Sequence, residues 1–361
     1  MKKIFTLFIC SVASLATYAQ SDGFYRVQND SKATYMVMVD NKSEGVSTSG
    51  SVDLDAIVLE KDLSKLYNHP GSVVYIKKTS GNKYDIEAQG SSLGKLTGGQ
   101  IYPELKKQSD GTYIISGSYG NMSMTLGAGT SKLKVPAGNN DKYWNLIPID
   151  FNKNFVGIVP DVKTNDGNYY ATFYASFAFK LHSDGMEAYY VDGVNDNNFT
   201  LKKITDATIA ATMPVIIKCS SDNPAKNMIE PVTSGGNEPK DNKLDGVYFD
   251  NSSSKHINRT EYKSSSMRVI GLSNGSLAFV KAGSDYLTGG SYLPHNKAYL
   301  NVSSSAASTL TQSSTLGINS IEAEQEVVRE GTYTLTGQKI PDGVTPRPGI
   351  YIKNGKKVVI K

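Results

Sequence analysis

Along most of the chain, short runs of aliphatic and aromatic β-forming residues, some of them alternating with polar ones, are separated by clusters of Gly, Asn, Asp and Ser. The pattern predicts short strands joined by turns, and so an all-β fold. From Ser21 to Asp150 it has a threefold rhythm. Phe24-Tyr25-Arg26-Val27 precedes Tyr35-Met36-Val37-Met38-Val39, Val73-Val74-Tyr75-Ile76 precedes Tyr84-Asp85-Ile86-Glu87-Ala88, and Tyr113-Ile114-Ile115 precedes Met122-Ser123-Met124-Thr125-Leu126. From Tyr25, Tyr75 and Tyr113 to the start of the following strand the offsets are 10, 9 and 9 residues, with turn residues between. Three repeats of about 40 residues predict a β-trefoil-like domain, here over residues 20–150. The extra length of the first copy carries Leu54, Ile57, Val58, Leu63 and Leu66, whose spacing predicts a short amphipathic helix closed by Asn68-His69-Pro70-Gly71.

Residues 151–302 read as a second, β-sandwich-like module. Tyr170 to Phe179 is an uncharged strand with Phe173, Ala175, Phe177 and Phe179 on one face, and Glu187 to Val191 and Phe199 to Ile204 flank a polar turn as a hairpin. Ser303 to Thr315 holds nine Ser or Thr in thirteen residues, which predicts an exposed linker over 303–320. Beyond it, Tyr333 to Ile340 and Gly349 to Lys361 predict a small terminal β hairpin turning at Asn354-Gly355, within a segment 321–361.

Composition narrows the function classes. With 22 Tyr and 33 Gly, 39% hydrophobic and 20% charged residues, the 361-residue chain is not a helical bundle or coiled coil. Lys2-Lys3, the apolar run Ile4 to Ala16 and the small residues of Thr17-Tyr18-Ala19 predict a signal peptide, 1–19, cleaved between Ala19 and Gln20. The formal charge of +4 then falls by the two lysines to +2, too small for a general nucleic-acid field. The apolar run is shorter than the ~20 residues of a spanning helix, so no transmembrane helix is expected after cleavage. Removal of Cys10 leaves Cys219 alone, without an internal disulfide and, lacking a local base signature, as a small packed residue.

Three segments resemble known families. The repeats and the closing Lys142-Tyr143-Trp144-Asn145-Leu146-Ile147-Pro148 resemble the ricin-type lectin β-trefoil, although Lys142 stands where that family carries the Gln of Gln-x-Trp. Ala171-Thr172-Phe173-Tyr174, Ile209 to Lys218 and Asn296-Lys297-Ala298-Tyr299-Leu300 resemble a β module common in exported proteins of Bacteroidetes-type bacteria, which implies surface display. The tail, with Gly337, Gly349, Tyr351, Asn354 and Gly355, resembles the C-terminal sorting domain of the type IX secretion system, which implies contact with secretion machinery.

Candidate chemistry is sparse. Gly271-Leu272-Ser273-Asn274-Gly275 fits G-x-S-x-G, but strand-like runs on both sides make it a hairpin turn rather than a nucleophile elbow. Gly90 to Leu96 imitates a phosphate loop with the wrong glycine spacing, and Asp161 to Gly167 half a calcium loop with Lys163 at a ligand position. The four histidines stand singly, as surface or turn residues, so neither a metal site nor a cofactor is expected. The basic last 15 residues, with Tyr351 as their one aromatic, read as a solvated strand pair. The leading expectation is a secreted or outer-membrane-surface binding protein, adhesin-like, with glycans or host and cell-surface proteins as partners. Its ligand residues are expected among turn tyrosines such as Tyr102 and Tyr119, while Trp144 serves the core. The alternative is a secreted hydrolase acting on glycans through carboxylates from distant strands.

Overall fold

The computed structural model describes residues 20–43, 52–97, 103–119, 122–252, 257–313, 332–334, 338–341, 343, 346–353 and 356–360. The chain divides into two compact units, Met1–Ser313 and Ser314–Lys361. The first part of the larger unit contains β1 (Gly23–Asn29), β2 (Thr34–Met38), β3 (Val52–Glu60), β4 (Val74–Ser80), β5 (Lys83–Ala88), β6 (Ser91–Ser92), β7 (Glu104–Lys107), β8 (Tyr113–Tyr119), β9 (Met122–Thr125), β10 (Gly127–Ala128), β11 (Lys132–Val135) and β12 (Tyr143–Pro148), with one short helix, α1 (Leu93–Leu96). Antiparallel pairing runs from β1 through β4, β5, β7, β8 and β12 and back to β1, which closes a six-stranded ring. Inward residues of each strand, among them Val27, Ile76, Ile86, Ile115 and Trp144, fill it. Trp144 is fully buried and its indole Nε1 donates to Leu126 O at 3.0 Å, so it serves the core.

The strand β3 replaces the first part of the expected helix. It pairs with β2 on one edge and β11 on the other, and Leu54, Ala56 and Ile57 are all buried. A strand covered on both faces reads as a continuous apolar run, which periodicity cannot separate from a buried helix. Only Leu63–Leu66 is helical, as one 3-10 turn capped by Asp62, whose carboxylate accepts from Ser64 N.

The second part of the larger unit adds β13 (Val156–Gly157), β14 (Val162–Lys163), β15 (Tyr169–Phe173), β16 (Ala178–Leu181), β17 (Glu187–Val194), β18 (Asn198–Lys203), β19 (Val215–Cys219), β20 (Met228–Val232), β21 (Leu244–Val247), β22 (Asp250–Ser252), β23 (Ile257–Arg259), β24 (Met267–Ser273), β25 (Ser276–Val280), β26 (Lys297–Asn301) and β27 (Thr309–Gln312). Ten of these make one sheet in the order β14-β15-β19-β17-β18-β27-β25-β24-β26-β21, and β13-β20-β16 make a small sheet. Phe173, Ala188 and Ile217 of the large sheet pack with Phe179, Val156 and Ile229 of the small one. On the opposite face, Ile216 shares a cluster with Leu244 and Leu300 from the far end of the strand order, so the large sheet curls round its own apolar side.

Two expectations are corrected here. Tyr170 to Phe179 is not one strand: it breaks after Phe173, and β15 and β16 belong to different sheets. Asn296 O accepts from Tyr174 N at 3.0 Å and Ala175 O accepts from Thr212 N at 2.9 Å, which turns the backbone from one ladder to the other. Phe173, Ala175, Phe177 and Phe179 nevertheless all end in one core. The Ser/Thr-rich stretch is likewise not a linker throughout, because β27 lies inside the large sheet between β18 and β25, with Leu310 fully buried. The preceding loop is held by the buried Arg268, whose guanidinium donates to the carbonyls of Ser264, Met267, Ala306 and Ala307. Serines and threonines satisfy edge and loop polar groups, so a Ser/Thr-rich run with one well-placed Leu is a strand when two open ladders await it.

The two parts of the larger unit are joined by specific contacts. Arg26 is buried and donates to Asn154 Oδ1 at 2.7 Å, Leu66 O at 2.9 Å and Ser72 Oγ at 3.2 Å. Burial pulls its pKa down to about 10, so it stays a cation satisfied by neutral acceptors. Tyr67 stacks on Phe155 with centroids 4.1 Å apart, and Asn258 donates to Asp40 Oδ1 at 2.9 Å. The smaller unit is a four-stranded antiparallel sheet, β28 (Thr332–Thr334), β29 (Lys339–Ile340), β30 (Gly349–Lys353) and β31 (Lys356–Ile360), in the order β29-β28-β30-β31. The strands β30 and β31 stand in the expected run from Gly349, whereas Tyr333 to Ile340, expected as a single strand, is divided between the antiparallel pair β28 and β29. Among the described residues, no helix is long and apolar enough to cross a membrane.

Candidate functional site

In β1, β4 and β5, the residues Tyr25 and Val27, Val74 and Ile76, and Ile86 and Ala88 point into the ring's core. Strand alternation therefore turns Phe24, Tyr75 and Glu87 outward. The register sets Phe24 opposite Tyr75 and Tyr75 opposite Glu87. The three form one lateral row, with neighbouring Cβ atoms about 5 Å apart. Against this row the bend after β15 brings Phe177, whose ring centroid lies 5.7 Å from that of Phe24, itself 5.0 Å from Tyr75. With Ala211 and Val232 these residues line a cleft of about 200 Å³.

The cleft's electrostatics follow from its position. Partial burial first, then Asp85 beside it, push the Glu87 carboxyl above the usual carboxylate range, with Lys77 opposing. No hydrogen bond or ion pair reaches that carboxylate among the described residues. Burial, then Asp22 and Glu87, also push the Tyr75 phenol up. Gln89, between the wall residues Ala88 and Gly90, is 1% exposed with both amide atoms unpaired. Unpaired buried amides are uncommon in folded chains. The cleft thus offers aromatic rings and one carboxylate in a space below the roughly 300 Å³ that begins the range for drug-sized ligands, which suits a single ring-sized group.

Of the residues singled out from sequence, Tyr102 lies outside the described residues. Tyr119 ends β8, its backbone opposite Met122. Ala19, Gly337, Asn354 and Gly355 also lie outside the described residues; Gln20 accepts from the Tyr113 hydroxyl at 2.7 Å. Gly349 and Tyr351 lie in β30, where the Tyr351 hydroxyl donates to Arg347 O at 2.8 Å. The G-x-S-x-G run is a hairpin: Ser273 pairs with Ser276, and Asn274 and Gly275 take φ of 50° and 77° in the turn. Gly90 to Leu96, which only imitates a phosphate loop, contains a short strand and a one-turn helix whose Leu93 and Leu96 plug the core. Asp161 forms an ion pair with Lys297 at 2.5 Å and accepts from Thr172 N at 2.8 Å, so its oxygens are already engaged. Cys219 is buried, and burial pushes its thiol up to about 12, where little nucleophilic thiolate exists. Among the described residues no group of three or more His, Cys, Asp and Glu could hold a metal.

The histidines are not all solitary. His69 and His295, far apart in sequence, stack with centroids 4.1 Å apart and planes at 22°. His69 Nδ1 accepts from Gly71 N at 3.2 Å, which leaves its proton on Nε2. Burial first, then His295 and Arg26, hold this imidazole well below its ordinary 6.5. The unfolded chain takes up that proton near 6.5 and the folded chain does not, so this contribution to stability is complete above that pH and is lost as the pH falls below it. Thermal melts at about pH 7.5 and about pH 5 are expected to show a lower Tm in acid. His69→Asn, which keeps an acceptor for Gly71 N, is expected to narrow the gap; an unchanged gap contradicts the assignment.

Comparison with protein-family models, curated proteins and solved structures finds no match to this chain.

Proposed function

We propose that the chain is an exported, surface-displayed binding protein whose ligand is carbohydrate and whose site is the Phe24, Tyr75, Glu87 and Phe177 cleft. The observation that carries this reading is the lateral row, in which a phenyl ring, a phenol and a carboxylate stand side by side across three strands and face a second phenyl ring. Sugar C–H faces pack on aromatic rings while their hydroxyls donate to carboxylates and amides. Binding is favoured over hydrolysis because glycoside cleavage uses two facing carboxyl groups, and the cleft lining contributes Glu87 alone. The closed ring of β1, β4, β5, β7, β8 and β12 supports the trefoil reading and with it the likeness to ricin-type lectins. Export rests on the Lys2-Lys3, apolar run and Ala19 pattern, and display on the separate terminal unit with its sorting-like strands.

A glycan array probed with the mature full-length chain tests this. Tyr75→Ala is expected to weaken the strongest signals about tenfold, in line with the 0.5–1.5 kcal/mol of an aromatic contact plus its lost area. No signal from the wild type, or signals untouched by Tyr75→Ala, would overturn the reading.

A further inference from the structure

The Glu87 carboxylate raises a question that a neutral sugar does not answer. It is exposed at the cleft, whose lining includes Phe24, Tyr75 and Phe177, with neither a hydrogen bond nor a salt bridge among the described residues. An exposed carboxylate without a partner of its own is open to a charge or strong donor on a ligand. The rings beside it add a second attraction of the same sign, because the faces of Phe and Tyr carry the negative end of the ring quadrupole and draw cations. Phe24 packs against both Tyr75 and Phe177, within 5.7 Å of each, and all three line the cleft with Glu87. Lys77, the nearest base acting on Glu87, stands opposite Asp85 rather than Glu87.

We propose that the cleft selects a sugar ring bearing a protonated amine, with the ring against Tyr75 and Phe177 and the ammonium donating to the Glu87 carboxylate. The inference rests on the cleft being the carbohydrate site and specifies the class of sugar it takes. Acylation of the amine removes both the charge and two of its donors, so N-acetylated sugars are discriminated against. Glu87 is also pushed toward its protonated form in the empty cleft by burial and Asp85, the state that a bound ammonium reverses.

Ligand-observed NMR titration of the full-length chain tests this with methyl β-D-glucosaminide, its N-acetyl derivative, methyl β-D-glucoside and butylamine, at a pH where the amines are protonated. The glucosaminide is expected to bind about tenfold more tightly than either neutral sugar and than butylamine. Glu87→Gln, at an exposed position of a strand, is expected to keep the wild-type Tm while bringing the glucosaminide down to the affinity of its N-acetyl derivative. Equal affinity for the three sugars, or a preference that survives Glu87→Gln, overturns the amine selectivity and leaves the carbohydrate cleft standing. Butylamine binding as tightly as the glucosaminide overturns the assignment of a ring. Absence of binding by all three sugars to the folded chain overturns the cleft reading itself.

Discussion

A chain ending at Ser308 is expected to lose the cooperative transition of its larger unit, whereas a chain ending at Ser313 melts as that unit does in the full-length protein. The five residues between these ends contain β27, which pairs in parallel with β18 through Asn198–Thr311 and antiparallel with β25 through Phe279–Leu310. Its loss divides the ten-stranded sheet in its middle and opens two unpaired edges. Leu310, fully buried against Phe199 and Phe279, accounts for roughly 1.5–3 kcal/mol of burial by itself. The cavity and the orphaned ladder groups raise the cost beyond about 5 kcal/mol, comparable with the whole stability of an ordinary domain. Circular dichroism melts of the two truncations decide it. A Ser308 chain melting within about 2 °C of the Ser313 chain would contradict the place given to β27.

Gly246→Ala is expected to be strongly destabilising for a single methyl addition. Gly246 lies in β21, and a Cβ there would overlap Cγ, Cδ1 and Cδ2 of the Tyr174 ring. The ring cannot simply move off. It stacks on Tyr248 with centroids 4.3 Å apart, and its backbone is held on both sides by Asn296, which accepts from Tyr174 N and donates from Nδ2 to Tyr174 O. Overpacking of this kind costs about 1–3 kcal/mol, a Tm loss of roughly 2–10 °C for a unit of this size. Adding Tyr174→Ala to Gly246→Ala empties the overlapped space, so the pair is expected to be less destabilised than the sum of the single changes. Strict additivity, or a Tm for Gly246→Ala equal to wild type, would contradict the close approach.

What was legible in the sequence was local. Asn274-Gly275 between strand-like runs specifies its hairpin through backbone conformation alone, and the strand pairs at Tyr25, Tyr75 and Tyr113 are visible because short runs of β-forming residues are bounded by turn residues at nearly fixed offsets. The strand β3 reads as a helix because burial of both its faces erases the period. β27 was hidden for the opposite reason: its one buried apolar residue, Leu310, finds its place only because β18 and β25 leave a gap for it. The candidate site was half visible. Phe24, Tyr75 and Glu87 all fall in strands that the alternation reveals, but their alignment depends on β1 pairing with β4 and β4 with β5, and Phe177 reaches them through a bend made by contacts remote in sequence. The His69–His295 stack is nonlocal in the same way.

The most direct measurement of the central claim is a crystal structure of the mature chain soaked with a methyl glycoside that the array identifies. The sugar's electron density is expected in the cleft, its ring against Tyr75 and Phe177 and a polar group within hydrogen-bond distance of the Glu87 carboxylate. Density at Tyr102 or Tyr119, with the cleft holding only water, would contradict it.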